Sequence, residues 1–280
     1  MHEVAIVGAG ELGGALAHVI ARRDVARTVR LIDDKGRIAE GKALDIAQAA
    51  PVEGFATRLV GSTDPSTAAG AAVIALADRA GGGEWQGEEA LQLVQRLTRS
   101  TQTAIILCAG AAQRDVIEFA ACELRVPRTR LLGSAPEALA AGARALVALA
   151  ANTSPRDVAL SVLGVPPAHV VIPWEEASLA GFALSRVIDE PTRRRLAAQV
   201  SALWPPGPYA LASAATMAIE AMAGRCRRTA SCFVAPDLSA GRRVRTAAMP
   251  VRLGPAGIAE VLIPRLSVVE KVALDNAMML

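Results

Sequence analysis

The stretch "EVAIVGAGELGGALA" near the start of the chain constrains the fold more than any other. An apolar run over 4–7 is followed by glycines at positions 8, 10 and 13, and then by a helix-forming segment over 12–22. In this order the glycines have separate physical tasks. Gly8 permits a tight turn after the strand, Gly10 lets a pyrophosphate approach the backbone, and Gly13 lets helix and strand pack closely. The helix N-terminus then faces the phosphate charge. A second strand over 28–32 ends at Asp33, about 20 residues past the glycines, where an acidic side chain binds both ribose hydroxyls of a dinucleotide. A carboxylate there repels a 2′-phosphate, so NAD is preferred over NADP. The expected cofactor-binding set is Gly8, Gly10, Glu11, Leu12, Gly13 and Asp33. Within it, Glu11 is tolerable only if its charge points to solvent.

The rest of the first half continues the alternation of short apolar runs with helical stretches. Strands are expected over 58–60, 71–77 and 104–109, and helices over 40–50 (stopping at Pro51), 88–98 and 115–124. This is a doubly wound parallel sheet of five or six strands, ending near Gly133. The second half reads as α+β. It has helices over 137–151, 191–203 and 211–223, strands over 158–163 and 168–172, an antiparallel-looking pair over 229–234 and 247–253, and a last helix from Ser267. Two domains are expected, a dinucleotide-binding Rossmann domain over 1–133 and a second domain over 134–280, packed as one unit with a cleft between them.

Composition narrows the partners. The net charge is +3 and aromatics are 3%, so stacking aromatics and a basic stripe for nucleic acid are missing, and Arg193-Arg194-Arg195 reads as a solvated face. The four cysteines, Cys108, Cys122, Cys226 and Cys232, lack CxxC spacing and read as reduced thiols. The apolar stretch 138–151 is interrupted by Arg144, so no membrane span is expected. A cytoplasmic location follows from these readings.

Over nearly its whole length the sequence resembles the lactate/malate dehydrogenase family, nearest to its malate side. The likeness lies in "LIDDKGRIAEGKALDIAQAAPVEGF", "GSTDPSTAAGAAVI", "GPYALASAATMAIEAM", "MPVRLGPAGIAEVL" and "LSVVEKVAL". The resemblance implies the family's fold and its NAD-dependent hydride transfer to or from a 2-hydroxy or 2-keto acid. It also implies a homodimer or homotetramer with the helix around 41–50 at the dimer contact.

The resemblance further implies a proton-carrying His, an Asp that orients it, a carboxylate-binding Arg, arginines on a mobile loop and an Asn after the fifth strand. None stands at its matched position. The loop reads "DRAGGGEWQGEE", with its arginine positions near Gly82 and Gly87–Glu88, leaving Arg79 as the only cation beside Glu84, Glu88 and Glu89. "CAGAAQRD" offers no Asn. The orienting Asp falls on Leu139 or Ala140 and the Arg on Gly142 or Ala143, while Arg144 matches a second arginine just downstream. "GVPPAH" puts Pro166 on the His and Ala168 near the Asp. His169 is the candidate catalytic residue that remains, although its "AHVVIP" setting has the period of a strand. His18 reads as packing or surface, and Arg79 and Arg114 as surface residues or holders of an anion. Glu175 and Glu176 are expected to cap or flank a following helix. The expected function is an NAD-binding family member with altered or lost 2-keto acid chemistry; the alternative is a non-catalytic NAD(H)-binding sensor or partner subunit.

Overall fold

The computed structural model describes residues 1–35, 37–237 and 245–280. The first half runs β1 (Glu3–Val7), α1 (Glu11–Arg22), β2 (Thr28–Ile32), α2 (Ile38–Glu53), β3 (Arg58–Ser62), β4 (Val73–Leu76), α3 (Gly87–Ser100), β5 (Ile105–Cys108), α4 (Arg114–Cys122) and β6 (Leu131–Gly133). These six strands pair in parallel in the order β3-β2-β1-β4-β5-β6. Strands β4 and β5 are buried at every position because helices cover both faces, which is why they read as unbroken apolar runs. Helix α3 shows the complementary pattern, burying Ala90, Leu93, Val94 and Leu97 along one stripe.

The second half comprises α5 (Ala135–Ala150), β7 (Val158–Ala159), β8 (Leu163–Val165), β9 (His169–Val171), β10 (Ser178–Leu179), β11 (Phe182–Ala183), α6 (Glu190–Ser201), α7 (Pro208–Met222), β12 (Ala230–Val234), β13 (Ala247–Gly254), β14 (Gly257–Val261) and α8 (Val268–Ala277). Strand β12 pairs antiparallel with β6, joining Phe233 to Gly133 and Val234 to Leu132, so one sheet of eleven strands crosses residue 133 without a break. A separate small sheet has the order β11-β10-β7. Helices α1 and α7 pack together, and Trp204 meets Phe233 edge to face at 6.1 Å. Ser267 closes the start of α8 with a reciprocal cap, its hydroxyl accepting from the Glu270 amide while the Glu270 carboxylate accepts from the Ser267 amide.

Four local expectations need correction. Helix α2 passes through Pro51 to Glu53 and ends on left-handed Gly54 (φ 79°), whose amide closes onto the Ala50 carbonyl. A proline within the last turn costs only one bond, so it need not stop a helix there. The expected strand over 158–163 is two strands in two sheets. Val158–Ala159 joins the small sheet, the chain crosses over while the Val162 amide donates to Ser231 Oγ (2.9 Å), and Leu163 then enters the large sheet. Period-two alternation carries no information about which sheet a segment joins. Glu175 and Glu176 precede the hairpin β10–β11 rather than a helix, and Glu176 accepts from the Arg265 amide instead. Strands β10 and β11 lie outside the expected elements, being only two residues long, whereas β14 pairs with β13 inside the stretch "MPVRLGPAGIAEVL", which resembles the family's late strand pair.

Candidate functional site: the carboxyl end of the parallel sheet

Parallel strands bring the ends of β1, β2, β4 and β5 to one edge, and the glycine turn lies there. Gly8 has φ 114°, and its amide donates to the Ile32 carbonyl (2.7 Å), tying the turn to β2. A side chain at Gly13 would run into the Gly8 carbonyl at 1.9 Å, so helix and strand do approach as closely as the spacing requires. Glu11 is exposed, as a negative charge at this turn has to be. Lys42, from α2, donates to the Gly10 carbonyl (2.6 Å) and braces the turn from outside.

The space over the glycines is filled by the chain itself. The register Val7↔Leu76 between β1 and β4 carries Asp78 up to the turn. The Gly10 amide donates to the Asp78 carbonyl (2.8 Å) and the Gly13 amide to Asp78 Oδ1 (2.9 Å), so a carboxylate sits on the N-terminus of α1. A Cβ at Gly10 would lie 2.2 Å from Asp78 Oδ2.

Asp33 is engaged in the same way. It is only 3% exposed, and Oδ2 accepts from the amides of Ala9 and Ala80 (both 2.8 Å) while Oδ1 accepts from the Lys35 amide. At β5, Glu84 accepts from the Ala111 and Ala112 amides (2.9 and 2.7 Å), and a Cβ at Gly110 would meet Glu84 Oε2 at 2.1 Å. Trp85 is buried with its indole N–H donating to the Val7 carbonyl (3.2 Å). The Arg79 guanidinium lies 4.9 Å from the Trp85 ring and pairs with Glu89. Burial pushes the thiol of Cys108, at the end of β5, up to about 12, and the nearby Glu84 charge adds to this.

Sequence reasoning placed Gly8, Gly10, Gly13 and Asp33 at one edge and they do meet there. It missed Asp78, Glu84, Trp85 and Lys42. The signal for Asp78 was its position two residues past a strand parallel to β1. In the sequence Glu84 stands out only as one of three acids beside Arg79 on the loop.

The positions that resemblance assigns to proton transfer and carboxylate binding lie on α5 and the β8–β9 turn. Leu139 is 1% exposed and packs with Ala140, Ala143, Val162, Ile172 and Val200. At Gly142 a Cβ would meet Leu203 Cδ1 at 2.7 Å, so a side chain there would have to displace the tip of that exposed leucine. Pro166 is buried, whereas Ala168 and His169 are exposed; His169 opens β9, its backbone pairs with Val165, and its ring has no hydrogen-bond or ion-pair partner among the described residues. His18 faces Glu53 (3.1 Å). Arg114 donates to the Thr246 carbonyl (2.7 Å), and Arg144 to the Leu160 carbonyl (3.1 Å) and to Glu137. Glu137 is buried, which pushes its carboxyl up, against the pull of Arg144 and the Ser231 amide (2.7 Å).

The edge with its glycine turn and terminal Asp33 defines the class, an α/β protein of the dinucleotide-binding type. A family model described as lactate/malate dehydrogenase, NAD binding domain, matches residues 2–118. The malate dehydrogenase of Thermomicrobium roseum is 29% identical, with 98% of this chain and 94% of that protein covered. That of Salinibacter ruber is 26% identical over 98% of this chain and 93% of that protein, and its solved structure superposes with a TM-score of 0.86. A lactate dehydrogenase of Cryptosporidium parvum, solved with lactic acid and NAD, superposes with a TM-score of 0.86 at 19% identity, covering 99% of this chain and 94% of that one. The chain is thus similar over nearly its whole length to malate dehydrogenases, and its residues 2–118 match the lactate/malate dehydrogenase NAD-binding domain.

The glycine spacing and Asp33 suit NAD. The cleft does not accommodate it with residues 78–86 where they lie, since the approach over Gly10 holds the Asp78 carboxylate and that over Gly110 holds Glu84. Among the described residues no His/Cys/Asp/Glu group suits a metal ion, and no helix is long and apolar enough to cross a membrane.

Proposed function

We propose that this chain is an NAD(H)-binding member of its family that does not carry out ordinary malate or lactate turnover and acts as a binder, a sensor or a partner subunit. One observation carries the reading: both positions matched to the orienting acid, Leu139 and Ala140, and one of the two matched to the carboxylate-binding arginine, Ala143, belong to an apolar cluster with Val162 and Ile172. Proton transfer requires an ionisable group within hydrogen-bond reach of the reacting oxygen, and a bidentate grip on a carboxylate requires a guanidinium. Neither leucine, glycine nor proline supplies these. His169 does not replace them, since among the described residues no acid pairs with its exposed ring.

Gly8, Gly10, Leu12, Gly13 and Asp33 are the residues proposed to hold the dinucleotide, with Glu11 turned away. Exposed Leu44 and Val52 on α2 support a second copy of the chain against that helix, and the unbridged cysteines support a cytoplasmic setting. The test pairs two readouts on one preparation, the thermal shift with NADH and NADH oxidation against a panel of 2-keto acids including oxaloacetate and pyruvate. A shift without oxidation is expected. Efficient turnover of any member overturns the non-catalytic reading, and no shift at all overturns the cofactor assignment.

A further inference from the structure

We propose that residues 78–86 form a built-in competitor for the dinucleotide, a plug that must leave the cleft before NAD(H) can enter. The inference rests on the dinucleotide-binding reading and adds to it a control on access.

Two separate anion-accepting places along the sheet edge are each met by a carboxylate of this segment. The α1 N-terminus holds Asp78, and the amides after β5 hold Glu84. The end of β2 holds Asp33, which the plug itself engages through the Ala80 amide. Backbone amides at such a turn favour negative charge whether it comes from a phosphate or from a side chain. The two glycine positions left bare for close approach, Gly10 and Gly110, are the two that carboxylates fill to within 2.2 and 2.1 Å of a Cβ.

The segment is also anchored as a unit. Asp78 and Glu84 bridge across it in antiparallel fashion, the Arg79 amide donates to the Gly83 carbonyl (3.0 Å), and Trp85 is buried with its indole bonded to β1. The glycines at 81, 82 and 83 are exposed, so the anchors lie at the two ends and the middle offers little resistance to peeling. A pyrophosphate entering with the plug in place would meet the Asp78 carboxylate on the α1 amides it needs, and Glu84 would stand farther along the same edge. The two occupants are therefore mutually exclusive, and apparent affinity is reduced by the fraction of molecules with the plug in.

The experiment is NADH titration by fluorescence on the full chain and on two single variants, Asp78→Ala and Trp85→Phe, each first checked for a cooperative melt. Tryptic cleavage after Arg79 is followed in the wild type with and without NADH. Trp85→Phe removes an anchor without changing charge, which separates plug release from simple relief of repulsion. Both variants are expected to bind NADH at least tenfold more tightly than the wild type, about 1.4 kcal/mol, and NADH is expected to speed cleavage at Arg79. Tightening by Asp78→Ala alone, with unchanged cleavage, overturns the plug in favour of local charge. Equal affinities throughout overturn the plug while leaving the dinucleotide reading intact. No binding by any of the three overturns both. If Trp85→Phe melts without cooperativity, Glu84→Gln takes its place, with the same tightening expected.

Discussion

Leu139 stands at a position that the resemblance matches to the orienting acid, and the proposed loss of turnover rests first on its packing. Packed among Val162, Ile172 and Val200, it is part of the core rather than a vacant position in a pocket. Leu139→Ala is expected to cost about 2–5 kcal/mol in urea unfolding, as for other buried leucines. Leu139→Asp is expected to cost more and to restore no turnover, because the carboxylate would be buried without a partner. The cysteines give a second expectation at this scale. Cys108 and Cys232 are buried, and burial pushes the Cys108 thiol up to about 12 and that of Cys232 higher still, so both stay protonated at around pH 8. A thiol reagent at that pH is expected to modify only half-buried Cys122 and Cys226 in the native chain, and all four after denaturation. Single residues were legible where backbone geometry dictates identity, as at Gly8, Gly13 and Asp33. Asp78 and Glu84 were not, since their roles depend on amides that lie far along the chain and are brought near only by folding.

Among the elements, α5 carries the main cross-connection of the second half. Glu137 takes the Ser231 amide of β12 with one oxygen and the Arg144 guanidinium with the other, and Arg144 continues to the Leu160 carbonyl. Because the carboxylate is buried and hydrogen-bonded, removing it leaves Arg144 without its counter-charge and the Ser231 amide unsatisfied. Glu137→Ala is expected to destabilise the chain by about 3–5 kcal/mol, read as a lowered urea midpoint with an unchanged slope. An element's type was legible wherever its apolar period was sustained, as in α1, α3 and the parallel strands. Destination was less so. The split of 158–163 between two sheets follows from a crossover fixed by Ser231, a residue about seventy positions away. Helix α2 ran past Pro51 because the proline falls in the closing turn, where few bonds are left to lose.

At the scale of the molecule, the β6–β12 ladder makes one sheet of both halves, so the dinucleotide edge and the apolar cluster on α5 belong to one framework. That framework matches the fold of solved malate and lactate dehydrogenases, and fold by itself does not carry their chemistry. The doubly wound order was legible from alternation of strand and helix, and the continuity of the sheet was not, because it depends on an antiparallel pairing between segments about a hundred residues apart. The most direct test is single-turnover stopped flow, with NADH bound to excess protein and mixed with oxaloacetate or pyruvate. The expected trace shows NADH fluorescence persisting at the rate of the protein-free control. A burst of NADH oxidation stoichiometric with bound cofactor would contradict the proposal that the family's acid, base and carboxylate-binding groups have been lost from this chain.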